Sequence, residues 1–168
     1  MLHLAYLGES KQIIVDSNTL RMLIVRKPVS GIPGGFIHVP QLSPSLQLFD
    51  HNRKTWKQGL FTEEDIAYLH SIQQTEDDPE AWWFLYEREF NKELVSRPDM
   101  VRAIERLGER LKQGVEIYTF CYCKNVCRCH RGLLGKHMQD RGFEVDFRKK
   151  QEPMLPVTKP LEQLSLFD

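Results

Sequence analysis

The sequence has no long apolar run and no excess of charge of either sign. No apolar stretch approaches the roughly 20 residues that a membrane-spanning helix needs, and the amino terminus lacks the basic and then apolar pattern of a secretory signal. We therefore expect a cytoplasmic protein without a membrane partner. Lysine plus arginine and aspartate plus glutamate both number 23, so any contact with nucleic acid must be local or made through a partner.

The sequence also lacks an internal repeat, and its 168 residues suit one domain of about 150 residues followed by a tail. Apolar and β-branched runs predict strands over residues 3–7, 12–15, 20–25, 115–120 and 142–147. Capping residues and helical spacing predict helices over residues 63–73, 80–94 and 96–113, and a short one after residue 130. Prolines and glycines between Pro28 and Pro44 predict a long irregular loop.

These elements predict an α/β fold, a single domain with a mainly parallel sheet flanked by helices. The order of strand, helix and strand from residue 115 to residue 147 requires a crossover, which makes that pair of strands parallel. We place the domain at residues 1–147. The proline-rich composition of residues 148–168 predicts a flexible carboxyl-terminal linker that ends in a docking peptide.

All four cysteines of the chain lie in the short stretch between the predicted strand at 115–120 and the helix that follows it. Such a turn lies at the carboxyl edge of a parallel sheet, where ligands bind and where the first amides of the helix favour an anion. In a reducing compartment, cysteines this close together are thiols or metal ligands rather than disulfides.

The spacing from Cys121 to Cys129, followed at once by His130 and Arg131, resembles the signature of a bacterial family, domain of unknown function 488. Members of that family carry a strand ending in Leu-Cys, a short loop and then Cys-His-Arg at the start of a helix. Two further segments are similar to the family's motifs, Leu42-Ser43-Pro44-Ser45 and the segment from Lys57 to Glu64. The resemblance covers roughly residues 35–147 and implies an α/β fold.

Three interpretations of the cysteine stretch stay open. In the first, Cys129, His130, Arg131 and Cys121 form an enzyme-like site: the helix start lowers the pKa of the Cys129 thiol, His130 moves a proton and Arg131 holds an anionic, nucleotide-type small molecule. In the second, Cys121, Cys123, Cys127 and Cys129 bind zinc. In the third, these residues are structural.

The last residues of the chain, Gln163-Leu164-Ser165-Leu166-Phe167, resemble the pentapeptide with which bacterial replication and repair proteins bind the DNA sliding clamp. Large apolar side chains at the end of a proline-rich tether suit docking into a partner's groove. Packing on the domain's own core is the alternative. The resemblance implies recruitment to DNA replication or repair, either of an enzyme or of a non-enzymatic clamp-binding module. The similar segment Ser45 to Asp50 is assigned to the core.

Overall fold

The strands of the domain are short and all parallel. They span Leu2–Tyr6 (β1), Leu20–Leu23 (β2), Ile37–His38 (β3), Ile117–Cys121 (β4) and Val145–Asp146 (β5). They form one sheet in the order β3-β2-β4-β1-β5, with Leu2 opposite Ile117 and Tyr6 opposite Cys121 in the central pair. The computed structural model describes residues 1–16, 18–28 and 31–148, so the predicted tail and its docking peptide lie outside the described residues.

In the part of the chain that the structure describes, five α-helices accompany the sheet, and polar side chains mark where two of them begin. The helices span Leu46–Lys54 (α1), Glu63–Ser71 (α2), Ala81–Ser96 (α3), Pro98–Lys112 (α4) and His130–Asp140 (α5). The Ser45 hydroxyl accepts a hydrogen bond from the Leu48 amide and so caps α1. Thr62 and Asp65 form a reciprocal capping box at the start of α2.

The two faces of the sheet are covered differently. All five helices contribute buried side chains to the larger core cluster, which includes Leu2, Leu4 and Ile117 of the central strands. The opposite face carries a smaller cluster around Phe120, covered by the irregular segment 7–15 and by Phe36. The predicted α/β class, with a parallel sheet flanked by helices, is therefore confirmed, and the helices lie on one side.

Several local predictions differ from the structure. The strand β3 lies within the segment from Pro28 to Pro44 that was predicted to be an irregular loop. Residues 12–15 do not form a strand, because Ile13 alone is buried there and Ile14 is 96% exposed. The helix α1 was not predicted. The segment assigned to the core buries only Leu48 of its apolar residues, while Leu46 and Phe49 are exposed on α1.

The connection from β4 through α5 to β5 is a parallel crossover, as predicted, with β1 between the two strands it joins. It sets α5 behind the central strands, in contact with β1, β4 and β5. The helix thus begins at the carboxyl edge of the sheet. Over residues 1–16, 18–28 and 31–148, no helix is long and apolar enough to cross a membrane.

Candidate functional site

The turn between β4 and α5 brings the cysteines to the carboxyl edge of the sheet. Cys121 is the last residue of β4, and Cys129 directly precedes α5. Between them, Asn125 caps a 3-10 turn over Val126–Arg128 by accepting a hydrogen bond from the Cys127 amide. The 3-10 turn folds the loop back so that both ends of the cysteine stretch meet.

Gly132 allows this loop to lie against the first turn of α5. A Cβ atom at this position would stand 2.1 Å from the carbonyl oxygen of Val126, a distance that a real side chain cannot adopt. The Gly132 amide also donates to the Cys129 carbonyl at 2.9 Å, which is the first hydrogen bond of the helix. The glycine that follows Cys-His-Arg therefore fixes the loop against the helix.

Three of the four sulfurs come together in this turn. The Sγ atoms of Cys121, Cys123 and Cys129 lie within 4.8 Å of one another, and those of Cys121 and Cys123 are 3.8 Å apart. Cys121 and Cys129 are buried, whereas Cys123 reaches the surface. Cys127 is exposed and lies outside this group, so the structure brings together three of the four cysteines predicted as one set. We call these three the thiol cluster.

The thiol cluster perturbs the ionisation of its members. Side-chain hydrogen bonds with Cys123 and Cys129, the backbone amide of Cys123 and the charge of Arg131 together hold the pKa of the Cys121 thiol well below its usual value, although burial acts to raise it. The same hydrogen bonds raise the pKa of Cys123 and, together with burial, that of Cys129. The sequence predicted a lowered pKa at Cys129, whereas within the cluster the lowering falls on Cys121, because a negative charge on one sulfur raises the pKa of its neighbours.

His130 is buried beside the thiol cluster and has a defined tautomer. Its Nε2 lies 2.7 Å from the Ile24 carbonyl oxygen, which can only accept, so Nε2 carries the proton. Its Nδ1 is then an unprotonated nitrogen 3.9 Å from the Cys129 sulfur. Burial lowers the pKa of His130, so the imidazole is neutral near pH 7.

Arg131 lies behind the thiol cluster, not on an open anion site. The residue is 2% exposed, and its Nη1 donates to the Ala5 carbonyl at the end of β1. Its Nε makes no hydrogen bond with any described residue, and no described carboxylate forms an ion pair with it. This placement differs from the one predicted, in which Arg131 contacts a ligand directly, because the side chain turns under the strand ends.

A cavity of about 570 Å³ opens in front of the thiol cluster. We call it the cleft. Cys121, Cys123, Cys129 and His130 form part of its wall, and the volume is in the usual range for small-molecule sites. Tyr86 of α3 lines the same wall, and burial together with the negative charge of the cluster raises its pKa well above the usual value. Its hydroxyl therefore keeps its proton.

The rest of the cleft is aromatic and cationic. Five basic side chains line it against one acidic side chain, Asp50, which pairs with Lys54. The basic side chains are those of Arg26, Lys27, Arg53, Lys57 and Arg128. Two of these contact aromatic rings, since the Lys57 Nζ lies 4.2 Å from the ring centroid of Trp82 and the Arg128 guanidinium lies 5.6 Å from that of Trp83. Arg128 pairs with Glu80, and the other four basic side chains still outnumber the acid, so the charge balance favours an anionic ligand.

Sequence reasoning missed the contribution of α1 to the cleft. Phe49, Asn52 and Arg53 all line it, and their spacing of three and four residues places them on one face of the helix. The available signal was the Ser45 cap, which predicts a helix start. Trp83 is buried in the core, and Trp82 is partly exposed.

Comparison with known proteins adds one match. Residues 66–142 match a family model described as DUF488-N3a, the active DUF488-N3 subclade. This segment runs from α2 to the end of α5 and contains the whole thiol cluster. Neither the search of curated proteins nor the search of solved structures found a match. The matched segment supports the resemblance of the chain to the domain of unknown function 488 family.

Proposed function

We propose that this domain is an enzyme that acts on an anionic, nucleotide-type ligand in the cleft, with the thiol cluster as its reactive group. The observation that supports this most is that three sulfurs, two of them buried, form the wall of a cavity rich in cations and aromatic rings. Structural cysteines are usually packed away from such cavities. The matched family subclade is described as active, which favours an enzyme over a binding module.

Cys121 is the nucleophile in this proposal. Its pKa is held below the usual thiol value, which increases the share of thiolate, the reactive form of cysteine. The sulfur forms a bond with an electrophilic atom of the ligand while the leaving group departs with the bonding electron pair. Cys123 also faces the cleft, and its raised pKa keeps a proton on the sulfur that it can pass to the leaving group.

The other residues of the signature position these groups. His130 and Arg131 hold the carbonyl groups of Ile24 and Ala5, and so fix the start of α5 against β2 and β1. Cys129 and His130, at the start of α5, line the cleft, and the first turn of a helix favours a negatively charged group of a ligand. Arg131 adds its charge from behind, through the Cys121 sulfur.

Site-resolved alkylation tests this proposal. Metal-free, reduced protein is treated with iodoacetamide at neutral pH, and the modification of each cysteine is followed by mass spectrometry of peptides. We expect Cys121 to react faster than Cys127, the exposed thiol outside the cluster, and inorganic pyrophosphate to slow the reaction at Cys121 only. The variant Cys127→Ser serves as the control and should leave the rate at Cys121 unchanged. An inert Cys121 beside a reactive Cys127 would contradict the proposal.

A second candidate function is zinc binding by the thiol cluster. Two sulfurs bound to one tetrahedral zinc at about 2.3 Å each are separated by about 3.8 Å, which is the observed distance between the sulfurs of Cys121 and Cys123. Cys121, Cys123 and Cys129 would hold the metal, and the open fourth position would face the cleft. Zinc held in this way activates a bound water or polarises a carbonyl group. His130 Nδ1 is near one sulfur only.

Metal analysis separates the two candidates. Protein purified without added metal and carrying about one zinc per chain, with a fold that melts on chelation, would favour the metal site. Full thermal stability after chelation would favour free thiols. Cys123→Ser should lower the zinc content, while Cys127→Ser, which lies outside the cluster, should not.

We also propose that residues 163–167 recruit the domain to DNA replication or repair through the bacterial sliding clamp. The support is the fit of all five residues to the docking pentapeptide and their position after a proline-rich segment. A peptide of residues 159–168 should bind a bacterial clamp with a Kd in the micromolar range, near −8 kcal/mol. Replacing Leu166 and Phe167 by alanine should remove binding. Equal binding of the intact protein and the double variant would contradict recruitment by this segment.

A further inference from the structure

Asn52 is a buried polar residue at the wall of the cleft. The residue is 9% exposed and lines the cavity, and its Oδ1 is enclosed and has no hydrogen-bond partner among the residues that the structure describes. The amide nitrogen also makes no hydrogen bond with a described residue, although buried polar groups are normally paired. A ligand that enters the cleft with an acceptor atom would pair with this nitrogen.

The neighbours of Asn52 on α1 suit two other parts of the same ligand. Phe49, one turn before Asn52, is 40% exposed although it is a large apolar residue, and its ring lines the cleft. An exposed aromatic ring inside a cavity is a surface on which a flat ring can stack. Arg53, next to Asn52, is exposed, and its guanidinium makes no hydrogen bond or ion pair with a described residue. It suits a phosphate.

We infer that the cleft binds a nucleotide, with the base stacked on Phe49 and hydrogen-bonded at its edge by Asn52, and the phosphate held by Arg53, an inference that rests on the ligand class of the proposed function. The amide nitrogen of Asn52 is a donor that suits an acceptor atom on a base edge. Lys27 lines the same cleft and adds a second exposed cation.

The arrangement also explains why α1 has this sequence. A surface helix normally places its apolar residues toward the core, but here Leu46 and Phe49 are exposed toward the cleft while Leu48 alone packs into the core. An apolar ring, an amide and a cation follow one another along a single helix face. This order matches the base and the phosphate of one nucleotide.

Calorimetric titration of the full chain tests the inference. The probes are the four common nucleoside 5′-monophosphates, ribose 5-phosphate as the ligand without a base, and a short single-stranded oligodeoxynucleotide. We expect at least one monophosphate or the oligonucleotide to bind at least ten-fold more tightly than ribose 5-phosphate. Tighter binding of the oligonucleotide would identify a nucleotide within a strand, and tighter binding of a monophosphate a free nucleotide.

Three variants locate the site. Phe49→Ala and Asn52→Leu should each weaken the nucleotide about ten-fold and leave ribose 5-phosphate unchanged, whereas Arg53→Gln should weaken both. The matched controls are Leu60→Ala, Asn91→Leu and Arg102→Gln, which change exposed residues outside the cleft. If Asn52→Leu fails to fold, the two exposed positions still decide the result.

Two results would overturn the inference. One is the absence of binding by every nucleotide probe up to millimolar concentration, and the other is equal affinity for the nucleotides and ribose 5-phosphate. Alkylation of Cys121 in the same protein preparation keeps this test separate from the proposed function. Nucleotide binding with an inert Cys121 would uphold the inference and contradict the proposed enzyme. A reactive Cys121 without nucleotide binding would overturn the inference and leave the thiol cluster as a reactive group for another anionic ligand.

Discussion

Arg131 places a charged side chain in the interior of the domain, and replacing it by methionine tests what balances that charge. The guanidinium donates to the Ala5 carbonyl, and no described carboxylate pairs with it. The nearest candidate for a counter-charge is the thiolate of Cys121, whose pKa is lowered by Cys123 and Cys129 first and by Arg131 in addition. We predict that Arg131→Met destabilises the reduced, metal-free protein.

The expected loss follows from two contributions. The Ala5 carbonyl loses its hydrogen bond in a buried place, which costs about 1–3 kcal/mol. Methionine keeps most of the length of the side chain, so the change in packing adds less than about 1.5 kcal/mol. If the buried charge of Arg131 had no counter-charge, Arg131→Met would not destabilise the protein, because replacing such a charge by an apolar residue of similar volume is often neutral or stabilising. We therefore expect a loss of about 1–4 kcal/mol at pH 8.

Urea denaturation followed by circular dichroism measures this loss, and a double-mutant cycle with Cys121→Ala identifies its cause. If the thiolate balances Arg131, the cost of Arg131→Met should fall by about 0.5–3 kcal/mol in the Cys121→Ala background. Arg102→Met, at an exposed position, should change the free energy of unfolding by less than about 0.5 kcal/mol. A stabilising Arg131→Met, or the same cost in both backgrounds, would refute the charge pairing.

Two further predictions concern the stability of the domain. Gly132→Ala should destabilise the protein by about 1–3 kcal/mol despite the better helix propensity of alanine, because its Cβ would meet the backbone oxygen of Val126. In the same denaturation assay Gly108→Ala should cost less, because only the end of the Phe143 side chain lies nearby. Asp65→Asn should cost about 2–4 kcal/mol at pH 7, since Asp65 accepts hydrogen bonds from Trp56 and Arg88. Although burial acts to raise the pKa of Asp65, these hydrogen bonds lower it, so its contribution is present above the ordinary carboxyl pKa and lost as the pH falls through the folded value. Stability curves of the wild type and Asp65→Asn that stay parallel as the protein is acidified would contradict this.

Four of the five described strands and most helices could be predicted from the sequence because their signals are local, whereas β3 and the strand order could not. The apolar runs of β1, β2 and β4 and the helical spacing of α4 report burial directly. The prediction of a strand at residues 12–15 was wrong because an apolar run does not indicate whether its side chains are buried. The helix α1 was not predicted because its exposed apolar residues face the cleft, so its sequence has no apolar stripe that faces the core.

The location of the site could be predicted from the sequence, but the arrangement of its side chains could not. The cysteines, the strand end and the helix start are contiguous in sequence, so the location of the site follows from them. The fold alone decides that Cys123 joins Cys121 and Cys129 while Cys127 does not. It also decides that Arg131 turns inward, because side-chain direction at a helix start depends on what the neighbouring strands offer.

The proposed chemistry depends on the claim that Cys121 ionises at the cleft, and the ultraviolet absorbance of thiolate near 240 nm measures this ionisation without a reagent that must enter the site. Metal-free, reduced protein is titrated from acid to alkaline pH, through the pH at which an ordinary thiol ionises, beside the variants Cys121→Ser and Cys127→Ser. We predict that the wild type and Cys127→Ser gain the absorbance of one thiolate per chain below the pH at which an ordinary thiol ionises, about 8.5, and that Cys121→Ser does not. Identical titrations of the wild type and Cys121→Ser, with no thiolate formed until that pH, would contradict the claim.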